Sequence, residues 1–126
     1  MANITIYTDG SAHNNGNRSG GWAAVIMSTV NGVKYRRIIA GWETDTTNNR
    51  MEMIAAIQAL KAIKQPSLIT LYSDAEYMTE GMGNPKRMWK RATMRLQGTE
   101  IKNNDLWIDL EFHAMKHVIT WIHIPG

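Results

Sequence analysis

Two aspartates end two stretches built to one plan. Ile4-Thr5-Ile6-Tyr7-Thr8-Asp9 and Ile69-Thr70-Leu71-Tyr72-Ser73-Asp74 both run apolar, Thr, apolar, Tyr, hydroxyl, Asp. β-Branched and aromatic residues fill each, as in strands. A period of two sends both aspartates to the same side of their strands. If the strands are parallel neighbours, the carboxylates meet at their carboxyl ends, where open α/β sheets place ligands. Two carboxylates repel by roughly 4 kcal/mol at ~4 Å and an effective dielectric of about 20. A cation between them removes that cost, so the pattern predicts a divalent-metal site. Glu52 is the candidate third carboxylate, in the first turn of a helix expected from about Asn49. Asn49-Arg50-Met51-Glu52 fits a capping box equally well, with Asn49 as cap and Glu52 at N3. Asp74, in turn, fits the N-cap of a short helix over Ala75 to Glu80.

The elements that must hold these groups can be read from the pattern. After Asp9-Gly10 comes a polar, Gly- and Asn-rich stretch, from Ser11 to Gly21, suited to a surface loop or to contacts with phosphate or sugar. Trp22 to Ser28 reads as an apolar strand, Asn31-Gly32 as a hairpin turn, and Val33 to Ala40 as the returning strand. Its cations suit a sheet edge. A helix from Asn49 to Lys64 carries Met53, Ala56, Ile57, Leu60 and Ile63 at core spacing, and Pro66 stops it. Leu68 to Ser73 then returns parallel to the first strand by a crossover. Gly81 to Pro85 breaks the chain. A helix from Asn104 to about Met115 buries Leu106, Trp107 and Leu110, and Val118 to Ile124 closes as a strand.

At 126 residues, with 44% hydrophobic and 20% charged residues, the composition is that of a single soluble domain spanning 1–126. No apolar run approaches the ~20 residues of a membrane span, and the reading has no secretory leader. Cysteine is absent, which excludes disulfides and thiolate metal sites and agrees with a cytoplasmic address. The net charge of +3 is a mild basic bias. Its distribution says more. Lys86, Arg87, Lys90, Arg91 and Arg95 occur with no acid between Gly81 and Thr99, and Trp89 stands among them. A solvated helix face usually mixes signs; five cations with an interleaved aromatic suit a phosphate backbone. Met51, Met78 and Met94 read as packing, and His113, His117 and His123 lack ligand spacing.

Together these residues resemble the type 1 ribonucleases H over essentially the whole chain. Thr8-Asp9-Gly10-Ser11, Thr46-Thr47-Asn48-Asn49-Arg50-Met51-Glu52 and Ser73-Asp74 with Tyr77 look like the three catalytic motifs in order. Trp89-Lys90-Arg91 lies where that family carries a basic protrusion, and Lys102-Asn103 with Asp105-Leu106-Trp107 matches the stretch after it. The resemblance implies an α/β ribonuclease H-like fold, a five-stranded mixed sheet of three antiparallel then two parallel strands, flanked by helices. It implies hydrolysis of the RNA strand of an RNA–DNA hybrid by a monomer, with Mg²⁺ as cofactor and Mn²⁺ as a substitute. A carboxylate cluster with substrate phosphate suits Mg²⁺, and two such ions about 4 Å apart suit an in-line displacement. Asp9, Glu52 and Asp74 are then catalytic, and Asp9, Gly10, Glu52 and Asp74 form the metal set. Asn15, Asn48 and Asn49 match positions that meet the RNA 2′-hydroxyls. Lys86, Trp89, Lys90 and Arg91 match the surface that holds the DNA strand.

The sequence departs from the pattern twice. The loop from Ala12 to Ser19 is one residue longer than common forms and lacks their prolines. The family continues past the last strand with a histidine loop and a helix bearing a fourth aspartate, whereas this sequence stops at Gly126. The alternative expectation is therefore a hybrid-binding module with weak or no turnover. A receiver-type phosphoacceptor also uses strand-end aspartates and Mg²⁺, but the opening hairpin meander fits it poorly.

Overall fold

The computed structural model describes residues 1–13 and 18–126. Five strands form one sheet in the order β3-β2-β1-β4-β5. β1 (Ala2–Ala12), β2 (Gly20–Val30) and β3 (Val33–Glu43) make the antiparallel meander, turning at Asn31 and Gly32, both at positive φ. α1 (Asn48–Ala62) then crosses to β4 (Ser67–Ser73), which lies parallel to β1 with Tyr7 opposite Tyr72. α2 (Glu76–Gly83), α3 (Pro85–Leu96) and α4 (Asn104–Ala114) precede β5 (Val118–His123), parallel to β4. The three-antiparallel, two-parallel sheet expected from the pattern is the one observed.

The alternation along each strand decides where the core lies. Ile4 and Ile6 of β1, Ala24 and Ile26 of β2, Ile69 and Leu71 of β4, and Ile119 and Trp121 of β5 all turn to one face. Met53, Ala56, Ile57 and Leu60 of α1, with Leu106, Trp107 and Leu110 of α4, close that face. Each Ile, Leu or Met buried here contributes roughly 1.5–3 kcal/mol. On the opposite face Tyr7, Ile38, Leu68 and Val118 are exposed, and Tyr7 stacks on Tyr72 with ring centroids 4.8 Å apart.

Two local expectations are corrected. The N-cap of α1 is Thr47, whose hydroxyl accepts the Arg50 N–H at 3.3 Å, so the Asn49–Glu52 capping box does not form. Glu52 is buried instead, and its carboxylate accepts from Gly10 and Ser73. The break expected over Gly81 to Pro85 falls at Asn84, between α2 and α3, and α2 runs through Gly81. A side chain at Gly81 would collide with the Trp107 ring, so this glycine is needed for helix packing and not for a turn.

Candidate metal centre and nucleic-acid surface

The parallel register of β1 and β4 carries Asp9 and Asp74 to adjacent positions just beyond the paired residues. Glu52 approaches from α1. What lets it in is Gly10: a Cβ there would stand 2.6 Å from the Met51 carbonyl carbon and 2.8 Å from the Glu52 nitrogen. With that space free, the Gly10 N–H donates to Glu52 Oε1 at 2.9 Å. Ser73, fully buried, donates its hydroxyl to Glu52 Oε2 at 3.2 Å and accepts the Ala75 N–H at 3.1 Å. Asp9, Glu52 and Asp74 thereby offer carboxylate oxygens all within 4.8 Å of one another. The three residues expected to share a site do so.

The electrostatics fit a hard dication. Glu52 is 5% exposed, and its carboxyl is pushed up to about 8. Burial is the main cause, followed by its hydrogen bond and charge interaction with Asp74; the Gly10 N–H and the Ser73 hydroxyl act the other way. Besides Asp74, the groups bonded to this carboxylate are the neutral Gly10 N–H and Ser73 hydroxyl, and among the described residues no cation forms an ion pair with the cluster. Oxygen donors without nitrogen or sulfur select Mg²⁺-, Mn²⁺- or Ca²⁺-type cations over zinc or copper. Gly10, the fourth member of the expected metal set, acts on Glu52 through its N–H.

The predicted substrate residues separate into distinct environments. Asn48 Oδ1 accepts the Ala12 N–H at 2.6 Å, strapping α1 to the end of β1, and the residue is exposed. Asn49 is half-buried beside it. Asn15 lies outside the described residues. On α3, Lys86, Arg87 and Lys90 are exposed, and Trp89 is 73% exposed. Arg91 is different and requires a correction. It is buried, donates from Nε to Glu111 Oε2 and from Nη2 to Gly81 O, both at 2.9 Å, and lies 4.0 Å over the Trp107 ring. Its donors hold α2, α3 and α4 together, so it is not free to grip a phosphate.

Arg95 behaves similarly, bonding both Glu111 oxygens at 3.0 and 3.1 Å and Asn104 Oδ1 at 3.1 Å. Burial pushes the Glu111 carboxyl up, but hydrogen bonds from Arg95 and Arg91 outweigh it and hold the group below its usual range. The inward positions had a signal, since Met88, Arg91 and Arg95 recur at helical spacing. The sequence reading also missed Arg50, whose guanidinium grips both Asp105 oxygens at 3.0 and 2.8 Å. This fork ties the first turn of α1 to the start of α4. Beside α3 opens a cleft of about 540 Å³, lined by Tyr77, Lys90, Met94, Lys102 and Trp107 among others.

Comparison with known proteins gives the family. The family model described as RNase H matches residues 1–126. The Ribonuclease H of Acetivibrio thermocellus is 38% identical over 128 residues, covering 100% of this chain and 84% of that protein. That of Cupriavidus necator is 39% identical over 131 residues, with the same coverage. Among solved structures, LC9-RNase H1, described as a type 1 RNase H with the type 2 active-site motif, superposes with a TM-score of 0.86 at 24% identity. The match covers 100% of this chain and 64% of that one. LC11-RNase H1, solved with an RNA/DNA hybrid, gives 0.67 at 23% identity, covering 97% and 85%. The chain belongs to the ribonuclease H family, a family of divalent-metal-dependent endoribonucleases.

Proposed function

We propose that this protein hydrolyses the RNA strand of RNA–DNA hybrids, using two divalent cations, Mg²⁺ by preference with Mn²⁺ as substitute. The observation that carries this reading is the convergence of Asp9, Glu52 and Asp74 within 4.8 Å. Cations bound there would supply the charge that activates water and steadies the leaving oxygen. Asp9 and Asp74, both exposed, face the substrate side; Glu52 is the buried anchor, fixed by Gly10 and Ser73. The exposed Asn48 and the neighbouring Asn49 stand at the same helix start, where donors for RNA 2′-hydroxyls are needed. Asn15 belongs to the same reading. Lys86 and Lys90, with Trp89 between them, present cations and an aromatic face to the DNA strand. The relative solved with a hybrid supports the choice of substrate. The same reading has the protein act as a monomer in the cytoplasm.

The test is cleavage of a hybrid labelled on its RNA strand, with Mg²⁺ or Mn²⁺, beside Asp9→Asn. Asp9 is exposed, so the variant should keep its fold, and the rate should fall by more than about a hundredfold. Equal cleavage by the two proteins would overturn the mechanism. Salt-sensitive binding by the wild-type protein without product would favour the hybrid-binding alternative.

A further inference from the structure

The antiparallel part of the sheet differs from the rest of the molecule in charge. From Gly10 to Trp42 the sequence contains no acid. Lys34, Arg36 and Arg37 of β3 are exposed, and among the described residues none of them forms an ion pair. β3 is also an edge of the sheet. Cations on an edge strand have an ordinary use, since they keep other strands from pairing there. That accounts for the charge and leaves the apolar residues beside it unexplained.

Alternation settles which residues share a face. Ile39 packs against the core, so Lys34, Arg36, Ile38, Ala40 and Trp42 line the outer face of β3. All five are exposed, Ile38 at 55% and Trp42 at 73%. Trp42 stands opposite Gly21, which offers its ring no side chain to pack on. Asp9, Ala23 and Ala40 form one cross-strand row. Trp42 is therefore two strands, or about 10 Å, from Asp9 and about 7 Å further along. At the other end of β3, Lys34 and Arg36 border a recess of about 540 Å³ lined also by Asn3, Thr5 and Thr29. No carboxylate lines it. From Trp42 to Lys34 is about 27 Å of strand. α2 packs on β5 and α3 on α2, so the basic face of α3 lies towards the opposite edge of the sheet, with the carboxylates between the two.

We propose, resting on the hybrid reading above, that the outer face of β3 is a track for a single-stranded nucleic-acid tail running on from the hybrid, with a base stacked on Trp42 and backbone phosphates on Arg36 and Lys34. Charge complementarity and the open ring together select this occupant. The track is long enough for the ~4 nucleotides that the smallest single-strand sites hold. A duplex keeps its base faces stacked and has none to lay on Trp42. An acidic peptide answers the cations but brings no base to the ring. A hybrid that enters past α3 and crosses the carboxylates leaves over β3, so its unpaired end meets the track without a turn.

The experiment is fluorescence anisotropy of labelled RNA–DNA hybrids, one blunt and two carrying a short single-stranded DNA tail at the 3′ or the 5′ end. The free tail oligonucleotide and a polyaspartate peptide are measured beside them. Ca²⁺, looser in geometry than Mg²⁺, replaces it to limit turnover. One tailed hybrid should bind at least about fivefold more tightly than the blunt one, and the gain should shrink with added salt. Trp42→Ala, and separately Lys34→Ala with Arg36→Ala, should each remove that gain. Both should leave the melting temperature and the binding and cleavage of the blunt hybrid unchanged. The emission of Trp42, taken as the difference between wild type and Trp42→Phe, should be quenched by that tailed hybrid and not by the blunt one. Equal binding of blunt and tailed hybrids overturns the track. So does a gain that survives both variants, or polyaspartate binding as tight as that of the free tail. If no hybrid binds, the substrate reading fails; the track then holds only where the free tail binds and Trp42→Ala abolishes that binding, and otherwise falls with it.

Discussion

Two charged clusters in this molecule have opposite construction. At the ends of β1 and β4, three carboxylates converge, Glu52 bonded by an N–H and a hydroxyl, and among the described residues no cation pairs with them. Between α3 and α4, Arg91 and Arg95 enclose Glu111, and each charge has an opposite within 3.1 Å. The second cluster is complete in itself and serves packing. The first is incomplete, and Glu52 shows it by holding its proton to about 8. Unbalanced charge of one sign marks where this protein expects a ligand; balanced charge marks where it holds itself together. α3 displays both kinds within one helix, with Arg91 and Arg95 balanced inward and Lys86 and Lys90 unbalanced outward.

The sharpest way to break the comparison is at Arg91. Arg91→Ala leaves the Gly81 carbonyl without its guanidinium donor, uncovers the Trp107 ring and takes from Glu111 one of its two arginines, and should cost about 3 kcal/mol in chemical denaturation. If stability is unchanged and only hybrid affinity falls, Arg91 is a substrate contact after all. Ser73→Ala comes next. Loss of one of the two donors to Glu52 should weaken Mg²⁺ binding by about tenfold in calorimetric titration, with Ser73→Thr restoring most of it. For Glu52→Gln the sign is unusual. A carboxyl raised to about 8 in the fold contributes stability below its unfolded value near 4.5, and loses it as pH rises through 8. Without metal, wild-type protein should therefore melt lower at alkaline than at mildly acidic pH, and Glu52→Gln should flatten that slope. Added Mg²⁺ should stabilise wild type at alkaline pH and leave the variant unmoved. The smallest effect belongs to Lys86→Ala with Lys90→Ala. Hybrid binding should weaken, and its log–log salt slope should drop by roughly 2.

The sequence made the site legible because strand periodicity is strict. Two copies of one strand plan placed Asp9 and Asp74 together once the strands proved parallel. Glu52 was ambiguous, because a cap and a ligand share the same local spacing. The family resemblance favoured the ligand reading, and the structure agrees with it: Thr47 is the cap, and the Glu52 carboxylate lies with those of Asp9 and Asp74. Arg91 misled for a related reason. A run of cations looks alike in one dimension, and its burial depends on Trp107 and Glu111, 16 and 20 residues further along. Ser73 drew notice only as part of a motif; its bridging role needs the distance to Glu52.

The stacked phenols of Tyr7 and Tyr72 lie two residues before Asp9 and Asp74 on the same strands. Their rings are coupled optically as well as mechanically, so their joint near-ultraviolet dichroism should register any change in the spacing of the strand tips. Cations bound at the proposed site would then be read by the protein's own spectrum, without a label or a nucleic acid.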